Sequence, residues 1–394
     1  MTLTPQANPD SPSVFSGHEG MWLDLIGNPF FVNLDKLTPE LRTRVRQLWS
    51  RCESAGAHPE SVSVEFSNGD ANELESMSEL TMALTNLAIE HADPAKFLLI
   101  HACAVANEAG SAVGFIGQSG AGKTTAATAL GKRFQYLTDE TLALDLADSG
   151  VLEYAKPLSV VAGPGPKLQK SPDELGLQRV TEKATLGSLY FLNRVAGTSE
   201  VQVEVLGWQS VLEQLVPQVS YLERRATPLQ DLFTVIRTYG GIPRVTYSEA
   251  AQLDAFVGAP TASMESNFPE PRQVELPDLI PGQVYMVPGG VGSLRPTDAV
   301  IVGDQLVLLV RGRVVVLEPL PTEIWLLALQ PRRFDELLEL LKAKFPTDGL
   351  AESELVAALD GILQQLHEVG AVIYGGPRPD DFEPGAQPVD LGSL

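Results

Sequence analysis

The eight residues Gly117-Gln118-Ser119-Gly120-Ala121-Gly122-Lys123-Thr124 carry the most specific chemistry in the chain. Gly117 and Gly122 let the backbone turn so that successive N–H groups, from Gln118, Ser119, Gly120 and Ala121 onward, converge on phosphate oxygens. Lys123 reaches the outer phosphates, and Thr124, followed by Thr125, offers a hydroxyl to Mg²⁺. The loop therefore asks for ATP, or another nucleoside triphosphate, with Mg²⁺. At average residue frequencies such a pattern arises by accident in roughly one chain of this length in a hundred.

A second chemical feature follows the loop. Residues 134–138 (Phe-Gln-Tyr-Leu-Thr) read as a strand that delivers Asp139-Glu140 at its end, where ligands sit in open α/β sheets. One carboxylate can help to hold Mg²⁺, so that Thr124, Asp139 and Glu140 form the expected metal set. The other can take a proton from an attacking hydroxyl or orient a water. His101, at the end of an apolar strand, and Lys156, ahead of Pro157, are further candidates; a structural histidine and a surface lysine are the bland readings of the two. Arg194 and Arg244 are possible sources of a cation at the transferring phosphoryl group.

The elements that must position these groups are legible from periodicity. The apolar segment 112–116 precedes the loop as a strand, and 124–133, rich in Ala and Leu, follows it as a helix. Upstream lie an apolar stretch at 29–32, a helix from Pro39 carrying Leu41, Val45 and Leu48, a helix over 79–91, and a strand at 97–100. Downstream, 211–236 reads as one long amphipathic stretch and 244–247 as a strand. The segmentation is a flexible tail (1–17), an N-terminal α/β segment (18–78), an α/β domain (79–258), a Pro-rich linker (259–285), a small α+β domain (286–375) and an acidic flexible tail (376–394). The small domain reads as strands at 299–302, 305–310 and 313–317, then helices at 321–329, 333–345 and 351–369 that stop at Gly370.

Composition bounds the rest. The chain has 394 residues, 44% hydrophobic and 20% charged, which suits two or three globular units. A net charge of −22 opposes phosphate backbones, so no nucleic-acid partner is expected. No apolar run is long enough to span a membrane, and the first residues do not resemble a signal peptide, so no membrane partner and a cytoplasmic location are expected. Cys52 and Cys103 are too few for a disulfide framework.

The order His101-Ala102-Cys103-Ala104-Val105, then the phosphate loop, then Tyr136-Leu137-Thr138-Asp139-Glu140, resembles the HPr serine kinase catalytic domain, a P-loop fold of the PEP carboxykinase-like kind. The similarity spans roughly 80–260. It implies an ATP-dependent kinase in which His101 lies beside the phosphates, Asp139 is the base for a serine hydroxyl, and Glu140 stands at the second acidic position; Lys156, read from the residues alone, can present a cation to phosphate. That family carries Asp-Asp where this chain has Asp139-Glu140, and Asp-Glu is also how plain ATPases pair a metal-binding aspartate with a water-activating glutamate. The family's second downstream signature is missing here, so the HPr protein itself is not the expected substrate. Residues 286–375 resemble the winged-helix-like PqqD-type peptide-recognition domain found with enzymes that modify ribosomally made peptides. The match rests on Val314-Val315-Val316-Leu317, Pro321-Thr322-Glu323-Ile324-Trp325 and Phe334-Asp335-Glu336-Leu337. That resemblance implies a peptide or protein partner added along the 299–317 strand edge. A nucleotide-switched binding module, a small-molecule kinase and self-association stay open.

Overall fold

The computed structural model describes residues 6–7, 18–54, 62–65, 72–161, 167–259, 268–287, 290–345, 350–374 and 387–389. The protein is a mixed α/β molecule that packs as two compact units. The first takes residues up to 207, 218–225 and 238–266, and the second takes 208–217, 226–237 and 267 onward. Among the described residues no helix is long and apolar enough to cross a membrane.

The first unit opens with a small sheet in the order β1 (Gln6–Ala7), β4 (Val62–Glu65), β3 (Asn28–Asn33), β2 (Gly20–Leu25). Helix α1 (Pro39–Trp49) starts where Thr38 caps it, with Pro39 in the first turn, and buries Leu41, Val45 and Leu48. Helix α2 (Glu73–His91) begins six residues before the apolar spacing suggests, because Asn72 and Glu75 close a reciprocal capping box. Leu80, Leu84 and Leu87 of α2 pack into one core with Trp49, Phe97 and Tyr154, which ties the N-terminal segment to the main sheet of the same unit.

That main sheet contains β5 (Phe97–Ala106), β6 (Ser111–Ile116), β7 (Gln135–Thr138), β8 (Thr141–Asp145), β9 (Gly150–Leu152), β12 (Ala184–Arg194), β13 (Gln202–Glu204) and β14 (Arg244–Tyr247). Strand β5 is ten residues long, so His101 lies inside a strand and not at its end. Strands β6, β12 and β14 run parallel. Strand β5 runs against both β6 and β7, so β7 points the same way as β6. Four strands therefore end at one edge of the sheet. Helix α3 (Lys123–Gly131) packs Ala126, Ala127 and Leu130 against Phe115, Tyr136 and Tyr247. A hairpin, β10 (Leu158–Val160) with β11 (Leu168–Lys170), lies beside α3.

The amphipathic stretch 211–236 is two helices, α4 (Trp208–Leu215) and α5 (Pro228–Thr238), because Pro217 and Pro228 cannot continue a helix from within. Both belong chiefly to the second unit. Its sheet runs β15 (Arg272–Gln273), β18 (Asp298–Val302), β19 (Gln305–Val310), β20 (Arg313–Leu317), with β20 at one margin. Strands β16 (Val284–Met286), β17 (Gly290–Ser293), β21 (Arg332–Arg333), β22 (Val372–Tyr374) and β23 (Gln387–Val389) form two smaller sheets. Residues 268–287, which read as linker, thus supply a strand to each of two sheets. Helices α6 (Pro319–Leu327), α7 (Phe334–Lys344) and α8 (Glu352–Glu368) bury Trp325, Leu337 and Leu363, and Gly370 ends α8 with a left-handed turn. Residues 376–386, 390–394 and most of 1–17, expected as tails, lie outside the described residues.

One buried carboxylate organises the second unit. Asp298, 2% exposed, accepts hydrogen bonds from the Leu229 N–H at the start of α5 (2.8 Å), the Gln273 side chain (2.6 Å) and its neighbour Ala299 N–H (2.8 Å). Removing the acceptor strands the buried N–H groups of Leu229 and Ala299, so Asp298→Ala is expected to destabilise this unit by about 2–3 kcal/mol. Asp298→Asn, which keeps an acceptor oxygen, should cost less. Urea denaturation followed by tryptophan fluorescence checks the order; equal stability of the Ala variant and the wild type would contradict it.

Candidate functional site

The shared strand edge gathers the chemistry. Strand β6 ends into Gly117, β7 into Asp139-Glu140, and β12 at Arg194, while β14 ends at Tyr247. Strand β5 passes the same edge in the opposite direction: Ala102 pairs with Ile116, so His101 stands level with the first loop residue. The result is a cleft of about 620 Å³ lined by His101, Ser119, Gly120, Gly122, Lys123, Thr124, Thr125, Asp139, Glu140 and Lys156 among the residues expected from sequence. Gly117, Gln118 and Ala121 shape the loop's backbone without lining the cleft.

The loop's conformation explains its glycines. Gly120 and Gly122 have φ of 86° and 93°, a left-handed backbone that side-chain-bearing residues avoid. A Cβ at Gly117 would lie 2.7 Å from the Ala121 methyl, and one at Gly122 would lie 2.8 Å from the Tyr247 hydroxyl. Tyr247 in turn donates to the Ala121 carbonyl at 3.2 Å, bracing the loop from β14. The Lys123 ammonium folds back onto the Gly117 and Gln118 carbonyls, and burial lowers its pKa from the ordinary lysine value. Such a backbone presents N–H groups at the start of α3 as an anion site.

Asp139 is buried, 3% exposed, and has three neighbours. The Thr124 hydroxyl donates to its Oδ2 at 3.1 Å, the Lys156 ammonium lies 3.3 Å from Oδ1, and the Tyr136 hydroxyl is 3.5 Å from Oδ1. Lys156, 2% exposed, also contacts Glu140 Oε2 at 2.8 Å. It is therefore not a surface lysine: it bridges the two carboxylates. Burial opposes its charge, but Asp139 and Glu140 outweigh that and hold its pKa above the usual lysine value. The same ammonium holds the Glu140 carboxyl below the usual glutamate range. His101 is half-buried, and burial together with the Lys123 cation keeps its pKa below 6.5, so the imidazole is neutral at neutral pH.

Arg194 reaches the cleft, and its Nε donates to the Ser248 carbonyl at 3.0 Å. Arg244 lies at the other end of its strand and pairs with Glu204. The cleft also contains Thr128, Lys132, Ser159, Val160, Val161 and Lys167, none of which stands out in the sequence. The four-residue spacing of Thr124, Thr128 and Lys132 along α3 is the one signal that points to part of this wall. The bracing by Tyr247 has no local signal, because it depends on parallel pairing of strands far apart in the chain.

Five cationic side chains, Lys123, Lys132, Lys156, Lys167 and Arg194, face two carboxylates in a protein whose net charge is −22. Lys156 is committed to those carboxylates; Lys123, Arg194 and the loop amides favour a polyanion. Among the described residues no group of three or more His, Cys, Asp or Glu side chains is gathered to hold a metal by itself. The oxygens of Thr124 and Asp139 suit Mg²⁺ that arrives with phosphate ligands. Compared with known proteins, the chain matches no family model and no curated protein.

Replacing Lys156 by Met leaves two adjacent carboxylates without their shared cation, at an expected cost of about 3 kcal/mol near neutral pH. Glu140 has a depressed folded pKa, so its share of stability is present above about pH 4.5 and is lost as pH falls through the folded value. Without Lys156 a proton can settle between the carboxylates, and the variant's deficit should narrow between pH 7 and pH 5. Denaturation at the two pH values checks this, and a deficit independent of pH would contradict it.

Proposed function

We propose that this chain is an ATP-dependent phosphotransferase that moves a phosphoryl group onto a serine-type hydroxyl of a peptide or protein. The observation that carries the reading is Asp139, held between the Thr124 hydroxyl and the Lys156 ammonium beside the phosphate loop. The loop amides, Lys123 and Arg194 bind and orient the triphosphate. Mg²⁺, held by Thr124 with the nucleotide's own oxygens, would neutralise charge on the phosphates. Asp139 accepts the proton as the acceptor oxygen bonds to the γ-phosphorus, and the bond to the β–γ bridging oxygen breaks to release ADP. Neutral His101 places an uncharged donor or acceptor at the same edge. The resemblance of His101, the loop and Asp139-Glu140 to the HPr serine kinase domain supports the same reading.

For the second unit the proposal is peptide recognition. Strand β20 is an outer strand of its sheet, a place where an extended segment can add main-chain hydrogen bonds. The run of β18, β19 and β20 ahead of α6, α7 and α8 supports this reading, and the PqqD-like resemblance adds a role in modifying a ribosomally made peptide.

A second reading draws on Glu140, whose side chain is 45% exposed in the cleft and available to a water. It makes the chain an ATP-hydrolysing module that controls peptide delivery. Mass spectrometry of a peptide encoded beside this gene and co-expressed with it distinguishes the two. The expected result is a gain of one phosphate, reduced about 10²-fold or more by Asp139→Asn. Unchanged ATP turnover in Asp139→Asn, together with its loss in Glu140→Gln and no phosphopeptide, would overturn the kinase reading.

A further inference from the structure

The cleft continues past the phosphate loop. From Thr124 one face of α3 runs on through Thr128 to Lys132, each four residues from the last and therefore stacked on one side. Eight residues of helix carry the backbone about 12 Å beyond Thr124. The other wall is the β10–β11 hairpin, from which Ser159, Val161 and Lys167 line the same cleft. That hairpin leaves the chain directly after Lys156. Both walls thus begin at the acidic end, one through the Thr124 hydrogen bond to Asp139 and the other through the Lys156 ion pair. A groove with this origin opens outward from the place where a reacting hydroxyl must sit.

Its charge runs against that of the molecule. In so acidic a chain six of the ten lysines, Lys36, Lys156, Lys170, Lys183, Lys342 and Lys344, pair with carboxylates. Lys132 and Lys167 are exposed, line the groove, and have no carboxylate partner among the described residues. We infer that these two lysines recognise an anionic acceptor, a peptide that carries aspartate or glutamate close to the hydroxyl to be modified. The inference rests on the phosphotransferase reading and adds the chemistry of its substrate. A span of about 12 Å is covered by three or four extended residues, which sets how near the acidic side chains stand to the hydroxyl. The hydroxyls of Thr128 and Ser159 offer hydrogen bonds along the way, and the exposed Val161 offers an apolar contact.

The test uses two labelled serine peptides that differ only in having Asp/Glu or Asn/Gln at the flanking positions. Their binding to the full chain, held with Mg²⁺ and a non-hydrolysable ATP analogue, is read by fluorescence anisotropy. Two partly exposed ion pairs should favour the acidic peptide by roughly tenfold, less at high salt. The double substitution Lys132→Glu with Lys167→Glu should erase that preference and leave the affinity for the analogue within about twofold. Equal binding of the two peptides by the wild type would overturn the inference. So would a double variant that loses the nucleotide analogue while keeping its preference for the acidic peptide. Phosphoryl transfer from ATP to the same peptides is read separately. Acid-selective binding without transfer would support the groove's assignment and remove the kinase reading.

Discussion

Lys156 lies buried between Asp139 and Glu140, 3.3 and 2.8 Å from their oxygens, and the arrangement of the cleft follows from that contact. Two neighbouring carboxylates at a strand end repel one another and would share a proton or swing into solvent. A single ammonium between them keeps both in place, and Asp139 is then free to meet the Thr124 hydroxyl at the start of α3. The ammonium is desolvated, so its position is stable only while both partners remain. Lys156 itself is held by the packing of its neighbours: Tyr154, two residues earlier, is buried in the core formed with α1 and α2. The N-terminal segment thus supports the site through the chain that carries this lysine.

The strand directions complete the arrangement. Because β6, β7, β12 and β14 all run one way, their last residues deliver the loop, Asp139, Arg194 and Tyr247 to one edge, and the reversed β5 brings His101 to the same level. The loop amides offer an anion site, strand ends carry the side chains, and the Tyr247 hydroxyl donates to the loop's Ala121 carbonyl. Gly120 and Gly122 supply the positive φ that side-chain-bearing residues avoid, and at Gly122 a Cβ would also meet the Tyr247 hydroxyl.

The parts of this site that are local in the chain were legible in the sequence. The loop, the helix after it and the carboxylates after the next strand are specified by residues within 25 positions of one another, and the structure brings them to one cleft. What was not legible depends on pairing between distant segments. Lys156 reads as a surface residue because its burial comes from packing against Asp139 and the N-terminal core. Arg194 and Arg244 look equivalent in sequence, and only the register of β12 against β14 separates the one in the cleft from the one paired with Glu204. The proline-containing stretch 268–287 shows no periodicity because its strands are two or three residues long, too short for alternation to register. The start of α2 does not show in the apolar spacing because its first turn faces solvent and is defined by a cap, not by a buried stripe.

Isothermal titration of a non-hydrolysable ATP analogue into the full chain, with and without Mg²⁺, asks whether residues 117–124 wrap the phosphates of a nucleoside triphosphate with the acidic pair facing the far end. One site per chain is expected, tighter with Mg²⁺, and weakened about 100-fold by Lys123→Ala in a protein that remains folded. Binding indifferent to Mg²⁺ and to Lys123, or no binding to the wild-type chain, would rule such a loop out.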